Sequence, residues 1–413
     1  MDHLLRCTSC GNEFPPRVTP RYCEECVEDA KEGRIEIVPN LDTIDPSALP
    51  FATGDGPTTM WRYQDLLPVF ADSPISLGEG WTPVTNAPRL SSWSGADLRI
   101  KNETVNPTWS FKDRFNALLL TNAIADGFDR FAVSTTGNHG PSTAAYASRA
   151  GCSDTVVLLH PDSQRPARIQ TAAYGANSVV VSSGEGRVRL LEELVDRGWY
   201  PTTATTEMPA GLPYGYEGYK TIAFELIEQL QTVPAAVAVP TGSGDGLYGI
   251  WKGFRELAGL GVIDETPRMI ATQPTDLSPL VEAFERGRID VNIEAGTPPL
   301  TTSTASRIVC HHALATLEES SGHAVRVPEA TLLEGIKTTA RDGIMLEPAS
   351  ALATAGVKIA VEEGHVDRDE TVVSVGTGSG IKWPDAMGPI VGEPATIDPE
   401  WSALTDAFEL PSE

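Results

Sequence analysis

A lysine behind a Ser-Phe pair, four paired cysteines and three glycine-rich loops are the features of this sequence whose types and spacing suit chemistry. Lys112 stands in the run Asn106-Pro107-Thr108-Trp109-Ser110-Phe111-Lys112-Asp113-Arg114. The chain has eight lysines against twenty-three arginines, so a lysine at the predicted start of a helix (113–125) stands out. A neutral lysine amine is the nucleophile that forms a Schiff base with an aldehyde cofactor, and burial or neighbouring cations favour that neutral form. From type and position alone, an exposed first-turn lysine is the simpler reading. The loops decide between the two.

The first loop is Ser134-Thr135-Thr136-Gly137-Asn138-His139-Gly140, the second Pro240-Thr241-Gly242-Ser243-Gly244-Asp245-Gly246, the third Gly376-Thr377-Gly378-Ser379-Gly380. Each follows a predicted strand. Glycine lets backbone come close to a ligand, and Asn138 offers an amide donor and an acceptor. The second loop, with its N–H groups at a helix N-terminus, is a cradle for a phosphate; Asp245 should then turn away from that charge. One such loop is usually only a turn. The spacing of Gly242, Gly244 and Gly246 is not that of a dinucleotide fingerprint, and the lysine and hydroxyl of a nucleotide P-loop are missing.

Cys7-x2-Cys10 and Cys23-x2-Cys26 account for four of the six cysteines, all within the first 26 residues. Two such pairs, separated by a turn-rich insert with Gly11, Pro15, Pro16 and Pro20, close a tetrahedral Zn2+ site. Disulfides are the competing reading and are disfavoured in a cytosolic protein. Four ligands leave no open position, so the predicted zinc ribbon (1–30) has a structural and not a catalytic role. Cys152 and Cys310 read as small buried apolar residues.

The elements that position these groups alternate. Short β-rich runs (131–134, 155–159, 178–181, 235–239, 269–272, 371–375) are separated by helical stretches (141–149, 165–174, 187–197, 219–230, 247–257, 278–286, 330–341, 350–363). This pattern predicts an α/β fold with two doubly wound parallel-sheet lobes, whose ligands bind beyond the carboxyl ends of the strands. The expected division is 31–202 for a lobe carrying Lys112 and Asn138, and 203–413 for a lobe carrying the phosphate loop, with a linker to about residue 57. The net charge of −25 comes from 56 acids and 31 bases, which excludes nucleic acid as a partner. Dispersed acid with few lysines suggests a halophilic protein, adapted to concentrated salt. No apolar run is long enough to span a membrane, and the first residues carry no apolar signal core, so a cytoplasmic location is expected.

Together with Lys112, the loops resemble the fold-type II family of pyridoxal-phosphate enzymes, and within it the threonine synthase group most closely. The resemblance runs from about Ser76 to Asp385. It is carried, in order, by Leu77-Gly78-Glu79-Gly80-Trp81-Thr82-Pro83, the Asn106 to Arg114 run, Thr136-Gly137-Asn138-His139-Gly140, Glu217-Gly218-Tyr219-Lys220-Thr221-Ile222-Ala223-Phe224-Glu225, Glu347-Pro348-Ala349-Ser350, and Thr377-Gly378-Ser379-Gly380-Ile381-Lys382. It implies that Lys112 carries pyridoxal 5'-phosphate and then acts as general base. Asn138 would bond the phenolic oxygen, and Gly242, Ser243, Gly244, Asp245 and Gly246 would hold the phosphate. Thr377 would face the pyridine nitrogen with a neutral hydroxyl, which softens the electron sink and suits elimination. Thr135, Thr136 and His139 would hold the substrate carboxylate. The implied activity is that of a lyase in amino-acid biosynthesis, releasing phosphate from O-phosphohomoserine and adding water. A serine/threonine ammonia-lyase or cysteate-type synthase is the alternative, and a cofactor-binding protein without turnover a third, against which the retained Lys112 argues. A small amino-acid substrate and a homodimer are expected.

The sequence departs from that group where the substrate phosphate should be held. Gly215 stands at the place of the group's arginine, and Ser243 at that of its asparagine. A phosphate dianion calls for charged, bidentate partners. The expectation is therefore a relocated arginine, with Arg307 first and Arg165 or Arg168 behind it, or a substrate without phosphate. Trp81 and Trp109 are either near the site or in the core.

Overall fold

The computed structural model describes residues 1–16, 22–28, 33–204, 212–287, 300–305 and 309–408. Its strands are β1 (His3–Cys7), β2 (Glu13–Phe14), β3 (Ile35–Pro39), β4 (Val84–Asn86), β5 (Asp97–Asn102), β6 (Arg130–Thr135), β7 (Asp154–Leu159), β8 (Asn177–Val180), β9 (Tyr200–Pro201), β10 (Ala236–Pro240), β11 (Arg268–Pro274), β12 (His323–Val327) and β13 (Thr371–Gly376). They form three sheets: β2-β1-β3, β12-β11-β10-β13-β5-β4, and β8-β7-β6-β9. The six-stranded sheet is parallel except for β4, and the four-stranded sheet is parallel throughout.

The larger sheet shows why its strands read as unbroken apolar runs. Ala236, Ala238, Ile270 and Val372 pack on one face with the helix Pro348–Glu362. Val237, Val239, Met269, Ala271, Val373 and Val375 pack on the other with Leu247, Ile250, Trp251 and Phe254 of the helix Asp245–Gly259. Side chains alternate across a strand, so a strand covered on both faces must be apolar at every position.

Two boundaries differ from the sequence reading. Strand β3 pairs with β1 from His3↔Pro39 to Cys7↔Ile35, so the ribbon sheet extends past residue 30 into the stretch read as linker. Strand β5 pairs in parallel with β13, from Asp97↔Thr371 to Asn102↔Gly376. The segment leading to Lys112 thus belongs to the larger sheet, with strands from the far end of the chain. Such a pairing leaves no local mark in the sequence.

Several of the quoted segments serve the interior. Arg114 is fully buried; it donates from Nε to Glu103 (2.7 Å) and from Nη2 to Glu103 and Glu225 (2.8 Å each). Lys101 Nζ reaches Glu225 at 2.6 Å and Gln229 at 2.9 Å, and the backbone N–H groups of Trp81 and Thr82 also donate to Glu225. A second buried quartet pairs Lys220 and Lys252 with Glu217 and Glu256. Each cluster balances two cations against two carboxylates, the condition under which buried charge is tolerated.

Candidate active site

Three adjacent strands of the larger sheet, β10, β13 and β5, deliver three of the chemical segments to one edge. The Gly242 loop follows β10, the Thr377 loop follows β13, and the Lys112 run follows β5. The Asn138 loop comes from β6, in the other sheet. Lys112 opens the helix Lys112–Ala125, and its approach is stitched to the Thr377 loop. Phe111 N donates to Thr377 O (2.9 Å), and Ser379 N to Trp109 O (3.1 Å). Trp109 has φ +65°, a left-handed conformation costly for a bulky residue; its own N–H, bonded to Asn106 O (2.8 Å), and the bond from Ser379 N hold it there. Asp113, buried in the first turn, accepts from Thr108 N (2.7 Å), Thr108 Oγ1 (2.6 Å) and Ser142 Oγ (2.7 Å). Burial raises its pKa to about 6 against those bonds.

Lys112 lies at the floor of two adjoining cavities. The first, of about 110 Å3, is lined by Phe111, Lys112, Asn138, the Gly242–Gly246 loop, Glu347 and Thr377. Lys112 Nζ donates to the Tyr219 hydroxyl at 3.0 Å and sits over the Phe111 ring, which stacks on Tyr219. Burial lowers the lysine's pKa, with Asp245 and Glu347 pulling the other way, which moves the balance toward the neutral nucleophilic amine. Asn138 Nδ2 donates to both oxygens of buried Glu347, at 3.0 and 2.9 Å. Burial raises the pKa of that carboxyl. Thr377 Oγ1 is 2.7 Å from Ser350 Oγ, which accepts from Gly378 N, also at 2.7 Å. Asp245 begins the helix Asp245–Gly259; its carboxylate turns back to accept from Ser243 Oγ at 2.8 Å, with His312 Nε2 3.5 Å away.

The second cavity, of about 380 Å3, shares Lys112, Gly242, Ser243 and Asp245 and continues between Thr135, Thr136, His139, Arg187, Thr203 and Tyr216. Thr136 and His139 flank the start of the helix His139–Ala150, where backbone N–H groups and the helix dipole favour an anion. Burial, reinforced by Lys112, holds the His139 pKa well below its usual value, so the ring is neutral. Its Nε2 is buried without a hydrogen-bond partner among the described residues.

The structure therefore brings Lys112, Asn138, Gly242, Ser243, Gly244, Asp245, Gly246 and Thr377 around one cavity, and Thr135, Thr136 and His139 around its neighbour. It does not bring the two tryptophans there. Trp109 is 45% exposed and Trp81 packs against the Arg62 guanidinium at 4.7 Å; neither lines a cavity beside Lys112. Arg165 and Arg168 do not line them either, and Arg307 lies outside the described residues. Cys310 is buried, while Cys152 is only half-buried. Sequence reasoning assigned no role to Tyr219 or Glu347, although both sit in quoted segments. It overlooked Arg187, which no motif marks.

The four N-terminal cysteines converge. The Sγ atoms of Cys7, Cys10, Cys23 and Cys26 lie within 4.8 Å of one another, with Cys7–Cys26 at 3.7 Å and Cys10–Cys23 at 3.8 Å. These separations are far beyond a disulfide bond and suit a shared metal ion. The cluster is not peripheral. Just after it, Arg34 is buried with its guanidinium over Tyr216 (4.6 Å) and Tyr248 (4.2 Å), and among the described residues none of its side-chain nitrogens has a hydrogen-bond partner. Tyr216 is also a wall of the larger cavity.

Residues 75–378 match the family model described as pyridoxal-phosphate dependent enzyme. The chain belongs to that family. The threonine synthase of Methanocaldococcus jannaschii is 34% identical over 410 residues, covering 97% of this chain and 98% of that protein. The threonine synthase of Mycobacterium bovis is 33% identical, covering 83% and 95%. Among solved structures, diaminopropionate ammonia lyase from Escherichia coli in complex with D-serine has the same fold at TM-score 0.65 and 17% identity, covering 76% of this chain and 88% of that one. The processed form of threonine deaminase isoform 2 from Solanum lycopersicum does so at 0.63 and 20%, with the same two coverages. Among the described residues no helix is long and apolar enough to cross a membrane.

Proposed function

We propose that the protein is a threonine synthase, a lyase that releases phosphate from O-phosphohomoserine and adds water to give threonine. The observation that carries this reading is the full-length match to threonine synthases, taken with Lys112 at the junction of two cavities. The residues present fit pyridoxal phosphate. Gly244 has φ +100°, and a Cβ there would stand 2.4 Å from that of Ala313, so the loop can meet a phosphate only with backbone. Opposite stands a lysine of depressed pKa.

When bound, the cofactor supplies the electron sink that lets a proton leave the substrate's α-carbon. Every other task falls to the chain. Lys112 Nζ would hold the cofactor covalently and, once released, would take the α-proton. The N–H groups from Gly242 to Gly246 would bind the phosphate at a helix N-terminus. Asn138 would bond the phenolic oxygen, and Thr377 would offer the ring nitrogen a neutral hydroxyl, which favours elimination over transamination. Thr135, Thr136 and His139 receive the substrate carboxylate; a neutral His139 donates without adding a second charge beside Lys112. The cofactor-loaded protein should release phosphate and form threonine from O-phosphohomoserine. Release of 2-oxoacid from serine or threonine, with no action on phosphohomoserine, would favour an ammonia-lyase instead.

The cysteine cluster is read as a structural zinc site. Zinc–sulfur bonds of about 2.3 Å give tetrahedral edges of about 3.8 Å, the separation of the two closest sulfur pairs. A salt-adapted protein is inferred from the dispersed charge of −25 and the sparing use of lysine, and a cytoplasmic location is proposed with it. Lys101, Lys220, Lys252 and Lys382 are buried, so half of the eight lysines serve the interior. A homodimer is the proposed assembly, which sedimentation would test.

A further inference from the structure

The phosphate of the proposed substrate needs a cation, and neither place where the sequence resemblance expects help provides one. Gly215 has no side chain, and cannot gain one cheaply: a Cβ there would lie 2.2 Å from the Phe115 ring. Ser243 has its hydroxyl committed to Asp245. A dianion desolvated without a paired cation is strongly disfavoured.

Among the described residues that line the larger cavity, the only lysine or arginine besides Lys112 is Arg187. It stands in the first turns of the helix Gly184–Asp196. Among the described residues its Nε is buried without a hydrogen-bond partner, and the one hydrogen bond it makes there is a long one, 3.5 Å from Nη1 to Thr135 O. No carboxylate pairs with it among the described residues, unlike buried Arg114, which two carboxylates hold. Burial alone acts on its pKa, and lowers it; no neighbouring acid offsets that cost. A half-buried guanidinium facing a cavity with a free N–H is a site waiting for an anion.

Two anionic groups of the substrate compete for it. The carboxylate carries one charge and has the helix N-terminus at Asn138–His139 together with Thr136. The phosphate carries up to two and, among the described residues lining the cavity, has no other cation once Lys112 is occupied by the cofactor. We propose that Arg187 holds the substrate phosphate in this chain, in place of the side chain missing at Gly215. This assignment rests on the threonine synthase reading and deepens it.

The test uses the cofactor-loaded full-length protein and the variants Arg187→Ala, Arg187→Gln and Arg187→Lys, with Arg165→Ala as the control. Arg165 is exposed and lines neither cavity. In Arg187→Ala and Arg187→Gln, the KM for O-phosphohomoserine and the inhibition constant of inorganic phosphate should both rise on the order of 10- to 100-fold. Inhibition by L-2-aminobutyrate, which has the amine and carboxylate but no phosphate, should stay within about twofold, and Arg187→Lys should fall between. Unchanged phosphate inhibition in Arg187→Ala would overturn the proposal. So would equal weakening of phosphate and aminobutyrate, which would put Arg187 on the carboxylate. A wild-type protein that does not turn over phosphohomoserine would defeat the functional reading. Phosphate binding by calorimetry, wild type against Arg187→Ala, would then judge the anion site alone: loss upholds it, and equal binding rejects it.

Discussion

The two cavities that meet at Lys112 differ in how their polar groups are satisfied. On the cofactor side, the side chains bond one another: Asn138 to Glu347, Thr377 to Ser350, Ser243 to Asp245. Backbone bonds tie the Lys112 run to the Thr377 loop. On the substrate side, His139 Nε2 and Arg187 Nε have no hydrogen-bond partner among the described residues. A group kept unpaired in a half-buried wall costs stability unless a ligand completes it. The difference teaches that the cofactor end is built as a preorganised frame, while recognition of the substrate is left to groups whose partners arrive with it.

The strongest way to break that comparison is at its hinge. Lys112→Ala should lower turnover on the order of a thousandfold or more, and borohydride should no longer fix cofactor mass to the 106–114 peptide. A reducible adduct on another lysine would reject the assignment. The next effect is on the scaffold. Glu225 lines neither cavity, yet it is the shared counter-charge of Arg114 and Lys101. Glu225→Gln leaves those buried cations short of one charge, and should cost about 3–5 kcal/mol, read as a lower urea midpoint at unchanged slope.

Much of this frame was legible. The runs at 235–239 and 371–375 announced strands covered on both faces, and the helix expected over 113–125 begins one residue earlier, at Lys112. The loops with Asn138, Gly242–Gly246 and Thr377 are legible only together: each alone reads as a turn, and it is their order along the chain with the Lys112 run that points to one cofactor. The partnership of β5 with β13 was not, because parallel strands from opposite ends of a chain share no local signal. Trp81 and Trp109 carried size but no direction. Arg187 was illegible for a further reason: its significance lies in what is absent around it, and an unpaired guanidinium looks in sequence like any surface arginine.

A titration sharpens the account of the frame. Asp113 has a folded pKa of about 6, raised by burial from 3.8. A carboxyl whose pKa is raised on folding favours the folded state below its unfolded pKa, and loses that contribution as pH rises through the folded value. The shift corresponds to roughly 3 kcal/mol. Asparagine does not ionise, so the stability of Asp113→Asn relative to wild type should improve by about 2–3 kcal/mol between pH 4 and pH 7. It should then level off. Unfolding free energies of both proteins across that range check the sign. A difference independent of pH would mean that Thr108, Ser142 and Lys382 offset the burial.

The smallest effect concerns the ribbon, and it asks which half of the cleft the ribbon supports. Cys10→Ser should reduce the zinc content from one ion per chain to none, since three thiolates bind far less tightly than four. No ligand position is open for chemistry, so turnover should survive. One contact between ribbon and site runs through Arg34, stacked on Tyr216 and Tyr248, and Tyr216 faces the substrate cavity and not the cofactor cavity. A cation over an aromatic face contributes from about 0.5 kcal/mol when exposed to about 2 kcal/mol when desolvated. Loosening it should therefore raise KM about two- to tenfold, while the visible absorbance of the bound cofactor stays the same. Arg34→Met, which keeps the cysteines, should raise KM in the same way without loss of zinc. If Cys10→Ser instead sheds the cofactor at unchanged KM, the ribbon braces the preorganised half, and the division drawn between the two cavities fails at this wall.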